Sequence, residues 1–319
     1  MFPSVKRMQF RSDGLSVVSV VLCTFRRPLL LKNCLASLLV QNCTERFEVV
    51  IVDNDRELSG ERIAASFWPL FLGAGIPFVY LAEPVQNISL ARNLGVSAAS
   101  GEWVAFLDDD ETASPDWLAS YLGFIASARC NGVFGPVLPE YPSGFPEWLR
   151  RSGMFDRCRL PTGTKVPPSE FRSGNAFFLR RLLLTRPDPF DPRLGLTGGE
   201  DFDFFSWLRG RGGDFRWCDA AVVMEYQDES RKSLSWHIRR GYRCGWVFAA
   251  VSFRRKRAAL ALLLVLGSLG SGAAKSVFRS LRQIRNPRGA FLLLITGLAV
   301  QAGKICYFFS ENIQVYRQK

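Results

Sequence analysis

The feature that most constrains this chain is a repeated alternation through its first 140 residues. Short runs of almost purely apolar, β-rich residues are separated by turn residues from segments with helical spacing. Runs at Leu15 to Leu22, Phe47 to Val52, Pro77 to Leu81 and Glu102 to Leu107 are too apolar to be half solvated. Strands of that kind lie in a mostly parallel sheet covered by helices on both faces. Pro28 to Gln41 opens with proline where a helix starts, and Ile88 to Ala99 carries apolar residues at helical intervals. A further helix is expected near Pro115, with Ser114 as its N-cap. This is a βαβ pattern, and loops after such strands gather at the carboxyl edge of the sheet, where open α/β sheets bind ligands.

Polar residues fall at that edge. Strand Trp103 to Leu107 runs into Asp108-Asp109-Asp110-Glu111, four carboxylates at one strand end. Two readings fit: an oxygen-only site for Mg²⁺ or Mn²⁺, which needs only one or two protein carboxylates plus substrate phosphates, or a solvated acidic turn facing a helix dipole. Asp53-Asn54 follows the strand Val49 to Val52 and is either turn chemistry or, beside Cys23-Thr24-Phe25-Arg26-Arg27, part of a nucleoside pocket. Gly198-Gly199 precedes Glu200-Asp201 at an expected helix start. There the acids act either as helix-dipole partners or as a general base toward an acceptor hydroxyl.

Downstream, Pro136 to Pro168 is rich in proline and glycine and reads as a long excursion, a candidate acceptor-side lid. An apolar segment at Phe171 to Leu179 and a last strand at Phe215 to Met224 follow. The eight cysteines form no C-x-x-C pair and are expected reduced. No secretory leader is evident at the amino end, so the catalytic body is expected in the cytosol.

The net charge of +12 is not spread evenly. From Arg254 to Lys319 there are 12 basic residues and one acid, leaving 29 basic and 28 acidic residues before it. The same tail holds apolar runs at Ala258 to Ala274 and Gly289 to Gly303, so an anionic membrane surface explains it better than nucleic acid. Both runs are shorter than the roughly 20 residues of a spanning helix. Two in-plane or re-entrant helices are therefore expected, with full crossings or two core helices as the alternatives. The resulting division is an extension over 1–14, a catalytic domain over 15–250 and a membrane-associated helical tail over 251–319.

The clusters taken together resemble the family 2 inverting glycosyltransferases, whose catalytic domain has the GT-A fold. The matching residues are Val20 to Arg27, Val50 to Asn54, Gln86 to Gly95, Phe106 to Asp110 and Gly198 to Asp201, in the family's order and spacing. The resemblance covers about residues 15 to 245 and is closest to enzymes of bacterial exopolysaccharide synthesis, including glucosyltransferases of succinoglycan-type assembly.

Carried over, it implies an α/β GT-A domain that takes a nucleotide-sugar donor, UDP-linked, with a Mn²⁺ or Mg²⁺ ion. Thr24, Phe25, Arg27, Asp53 and Asn87 would line the donor pocket, Arg92 would lie near the diphosphate, and Asp108 and Asp109 would belong to the donor site. Asp110, with Asp108, would bind the metal; Asp201 would be the base, with Glu200 positioning substrate. Where relatives carry a late histidine this chain reads Val222-Val223-Met224-Glu225-Tyr226, so the ion would be held either loosely or by Glu225. Absence of the processive Q-x-x-R-W motif implies single sugar addition. A lipid-linked saccharide acceptor at the cytoplasmic face of the bacterial inner membrane would suit the tail. The competing readings are a sugar-phosphate nucleotidyltransferase and a non-catalytic, nucleotide-sugar-binding relative.

Overall fold

The computed structural model describes residues 7–10 and 16–309. Boundaries between two compact units fall after Leu138, Asp156, Leu196, Gly199 and Glu225. The second unit thus takes in the chain from Tyr226 onward, about 25 residues earlier than the division expected at 250, because the long helix Leu234–Arg255 belongs to it.

In the first unit the chain runs β1 (Arg7–Phe10), β2 (Val18–Thr24), α1 (Pro28–Leu39), β3 (Phe47–Asp53), α2 (Glu61–Gly73), β4 (Phe78–Ala82), α3 (Ile88–Ala98), β5 (Trp103–Asp108), β6 (Glu111–Ala113), α4 (Trp117–Ser127) and β7 (Gly132–Phe134). Strand β8 (Val137–Glu140) leads out of the first unit, helix α5 (Glu147–Arg150) belongs to the second, and the first resumes with β9 (Ala176–Leu179), α6 (Arg180–Leu183), α7 (Glu200–Gly210), β10 (Phe215–Trp217) and β11 (Val223–Tyr226). Eight strands form one sheet in the order β1-β4-β3-β2-β5-β9-β7-β10. Strands β4, β3, β2 and β5 run parallel, and β9 is inserted antiparallel between β5 and β7.

Strand alternation sends Val18, Val20 and Leu22 into one apolar layer and Val21, Val50 and Val52 into another. With helices on both faces every position of β3 is buried, which is why these strands read as continuous apolar runs. The second layer is largely aromatic, with Phe178 stacked on Phe205 at 4.6 Å.

Two expectations about element boundaries in the first unit need correction. Phe215 to Met224 is not one strand: β10 joins the large sheet beside β7, whereas β11 pairs antiparallel with β6. Helix α4 begins at Trp117 after Asp116 rather than being capped by Ser114. Strand β6 captures that residue's backbone, Ser114 N donating to Val222 O at 3.0 Å, so the helix starts later.

The second unit contains α8 (Leu234–Arg255), α9 (Ala258–Leu281) and α10 (Pro287–Cys306). Glycines let α8 and α10 approach backbone to backbone: a Cβ on Gly245 would stand 1.9 Å from Val300 O, and one on Gly303 1.9 Å from Tyr242 O. Helix α9 has 24 residues and α10 has 20, and both are apolar enough to cross a membrane by length and composition. At 1.5 Å per residue they extend about 36 and 30 Å, against a hydrocarbon core of about 30 Å. The expectation that these runs are too short is therefore corrected: each helix continues through its isolated lysine, Lys275 or Lys304. Apolar side chains remain outside, among them Leu263, Leu266, Phe278 and Phe291.

All eight cysteines are free thiols, as expected. His237 is buried in α8, with its ring 5.5 Å from Phe155.

Candidate active site

Sheet register alone assembles the first part of the site. Thr24 pairs with Asp53 across β2 and β3, and Cys23 with Asp108 across β2 and β5, so three adjacent strands end side by side. The Thr24 hydroxyl donates to Asp109 Oδ2 at 2.9 Å. Arg27, just before α1, reaches Asp109 Oδ1 at 3.1 Å and Asp110 Oδ2 at 3.2 Å. Phe25 is half-buried, with the Arg26 guanidinium 5.0 Å over its ring.

Asp53 is wholly buried and fully engaged. Its carboxylate accepts from Gly60 N at 2.7 Å, the Tyr80 hydroxyl at 2.8 Å and Asp55 N at 3.0 Å. Burial raises its pKa against those donors. Asp53 therefore shapes the loop from 54 to 60. Asn87 is likewise occupied: its Oδ1 accepts from Ser89 N and Leu90 N as the N-cap of α3, and its Nδ2 donates to Pro192 O at 2.8 Å.

The centre of the site is Arg92, on α3. Its guanidinium contacts Glu200 at the start of α7 and Asp108 at the end of β5, the latter at 3.4 Å. Burial opposes its charge, but Glu200 and Asp108 outweigh that and raise its pKa. Asp108 keeps 42 % of its side chain exposed, yet surrounding protein mass still raises its pKa. Asp109 is buried, and desolvation pushes it up to about 6 despite Arg27.

Glu200 and Asp201 follow Gly198 and Gly199, whose φ angles of 82° and 91° lie in the left-handed region. Glycine is required twice over, since a Cβ on Gly199 would meet Val247 Cγ1 at 2.2 Å. Asp201 is half-buried; its Oδ2 accepts from Ser173 N at 3.1 Å and its Oδ1 from its own neighbour Phe202 N at 2.7 Å.

The sequence singled out Glu111 and Glu225 separately, but not their meeting with Arg157. Glu111 on β6 stands opposite Glu225 on β11, and Arg157 Nη2 reaches Glu225 Oε1 at 2.7 Å. Glu111 is only 1 % exposed; its Oε2 accepts from Asp108 N, while its Oε1 has no hydrogen-bond partner. Burial, then Asp108 and Glu225, drive its pKa well up. Arg172 pairs with Glu170, and burial followed by repulsion from Arg157 lowers its pKa. The antiparallel register of β6 and β11 could have hinted at the two glutamates; nothing in the proline-rich excursion singled out Arg157.

The sequence profile described as Glycosyl transferase family 2 matches residues 19–186, more than half the chain. The chain belongs to glycosyl transferase family 2. This glycosyltransferase is 37% identical over 235 residues to the succinoglycan biosynthesis protein ExoM of Rhizobium meliloti (strain 1021), covering 72% of each chain. Its fold is similar to a mannosyltransferase from Pyrobaculum calidifontis in complex with GDP-Man and Mn²⁺, with a TM-score of 0.64 and 18% identity over 93% of this chain and 88% of that one. It also resembles S. aureus TarS 1–349 in complex with UDP, with a TM-score of 0.51 and 15% identity over 94% and 93%. These likenesses establish the GT-A fold, and family membership sets aside the nucleotidyltransferase reading.

The acidic turn fits a hard divalent cation. Among the described residues no three metal-ligating side chains form a preformed cage. Mg²⁺ and Mn²⁺ sites with substrate phosphates need only one or two carboxylates. Glycine at 174 lets the backbone pass close to two of these acids: a Cβ there would lie 2.8 Å from Glu111 Oε1 and 2.9 Å from Asp108 Oδ2. Glu111 Oε1, buried and without a hydrogen-bond partner among the described residues, is an oxygen whose chemistry suits a hard cation.

Proposed function

We propose that this glycosyltransferase moves a hexose from a UDP-linked donor to a hydroxyl of a lipid-linked saccharide during bacterial exopolysaccharide synthesis. The observation that carries the reading is the bridge from Arg92 to both Glu200 and Asp108, which ties the start of α7 to the acidic turn. It brings Asp201, a half-buried carboxylate oriented by Ser173 N, into the neighbourhood of the Asp108-Asp109-Asp110 turn.

In this mechanism Thr24, Phe25 and Arg27 line the donor pocket, with Asp53 and Asn87 holding the pocket loops in shape. Asp201 accepts the acceptor's hydroxyl proton while that oxygen attacks the anomeric carbon from the face opposite the diphosphate. The new carbon–oxygen bond forms as the bond to phosphate breaks, so one displacement inverts the anomeric centre. Asp110 and Asp108 would hold the divalent ion, which when bound supplies positive charge against the departing diphosphate. Arg92 fixes Glu200 so that it meets the substrate in one orientation.

Similarity to ExoM supports the exopolysaccharide setting, and the UDP complex of TarS supports the donor class. Helices α9 and α10 support a site of action at a membrane, for which we propose the cytoplasmic face of the bacterial inner membrane. The test is transfer and donor hydrolysis with UDP-, GDP- and dTDP-sugars, each with Mn²⁺ or Mg²⁺. Turnover of a UDP-sugar by the wild type and its loss in Asp201→Asn is expected. Unaltered transfer by Asp201→Asn would remove Asp201 from the role of base.

A further inference from the structure

The glutamates Glu111 and Glu225, with Asp108, put several carboxylates where a nucleoside diphosphate has to bind. Like charges there would repel the ligand unless cations stand between them. Arg157 is such a cation, delivered from within the proline-rich excursion. Of its five N–H donors only one, on Nη2, is used among the described residues, on Glu225. The side chain keeps 20 % of its surface exposed, and none of its nitrogens is both buried and unpartnered among the described residues. Nε and Nη1 make no hydrogen bond among the described residues. Burial opposes its charge, but Glu225, Glu111, Asp108 and Asp110 outweigh that and raise its pKa, so it stays charged. Those four acids include both residues assigned above to the metal. Arg172 adds a second guanidinium in the same electrostatic neighbourhood, facing Arg157, Asp201 and Glu111.

We propose that Arg157, anchored by Glu225, is a diphosphate-binding residue of the donor site, contacting the phosphate that leaves with the nucleotide. Glu225 then serves as the carboxylate that orients this guanidinium, and not as the late metal ligand that its sequence position suggests. A planar guanidinium clamped on one edge by a carboxylate presents its other edge at a fixed angle, the geometry that suits a phosphate. The assignment rests on the nucleotide-sugar reading of the site.

Calorimetric titration with UDP and with UMP, in chelator and again with Mn²⁺, separates this role from others. The wild type should prefer UDP over UMP in both conditions. Arg157→Ala should weaken UDP about 10- to 100-fold, the range for a lost charge-assisted contact, and UMP much less. Arg157→Lys should recover part of the difference. The double substitution Arg157→Ala with Glu225→Gln relieves the stranded acid, so a purely structural arginine would be rescued by it. A diphosphate-binding one would not. Recovery of wild-type UDP affinity in the double variant, or equal loss of UDP and UMP in Arg157→Ala, overturns the proposal. Failure of the wild type to bind UDP at all would instead reject the donor reading on which it rests. Thermal melting of each variant identifies any that fail to fold, and the Lys variant then carries the comparison.

Discussion

Acidification should destabilise the second unit through one residue, His237. Its ring is 2 % exposed, stands 4.9 Å from Trp236 and 5.5 Å from Phe155, and leaves Nε2 without a hydrogen-bond partner among the described residues. Burial lowers its pKa from 6.5 to about 4; a backbone hydrogen bond at Arg231 favours the proton, while the nearby Arg240 adds repulsion. The folded pKa lies below the unfolded one, so between them the unfolded chain binds more protons. The contribution of neutral His237 is complete above about pH 6.5 and is lost as the pH falls toward 4.

At 1.36 kcal/mol per pKa unit, the full displacement corresponds to about 3 kcal/mol and the loss already incurred at about pH 5 to roughly 2 kcal/mol. Other groups titrate in the same range, so the informative quantity is a difference. Urea melts of wild type and His237→Leu in detergent, followed by tryptophan fluorescence from about pH 7.5 to 4.5, should diverge. The wild type should lose about 2 kcal/mol more than the variant over that interval. Parallel pH profiles for the two proteins would refute the argument from burial.

Arg92→Ala should cost about 3 to 5 kcal/mol because it strands the buried Glu200 beside Asp108, read as a lowered melting temperature. Combining it with Glu200→Gln should return much of that stability but not activity. Gly199→Ala should destabilise by about 1 to 3 kcal/mol through its left-handed backbone and the contact with Val247, with partial relief in a Val247→Ala background, both measurable by denaturant unfolding. If α9 and α10 cross the bilayer, the protein should stay with membranes through an alkaline carbonate wash, and a chain lacking residues 258–306 should not. Chelation should abolish transfer and Mn²⁺ should restore it, with Asp110→Asn raising the metal concentration required; transfer undiminished by chelator would contradict the cation role of the acidic turn.

The first half of the fold was legible because its signals are local. Strands β2 to β5 lie within about three residues of the apolar runs, since burial on both faces leaves no other composition open to them. The acidic turn and the Glu200-Asp201 pair stood out as candidates the same way, each at an element end, whereas Arg92, inside α3, came only from the family resemblance. What was missed depends on contacts distant in sequence. Arg157 meets Glu225 from a stretch with no periodicity, 68 residues away. Ser114 looks like an ideal cap until β11 pairs beside it. Asp53 and Asn87 have the right residue types for binding a nucleoside, yet their hydrogen-bonding capacity is spent on Gly60, Tyr80 and Asp55 in one case and on Ser89, Leu90 and Pro192 in the other. The apolar tail was undermeasured because a count of consecutive apolar letters stops at a lysine. A helix carries such a side chain by extending its stem along the surface.

The ladder between Glu111 and Glu225 also sets a timetable. During synthesis the acidic turn leaves the ribosome with Arg27 and Arg92 already made, but Arg157 is still to come, then Glu200 and Asp201, and Glu225 last. Strands β2 to β5 can pair early, whereas β6 waits more than a hundred residues for its partner β11. A nascent or truncated chain ending short of Glu225 carries a sheet whose catalytic edge is open and an Arg157 without its anchor. On the reading proposed above, the donor site is complete only when nearly all of the first unit has emerged.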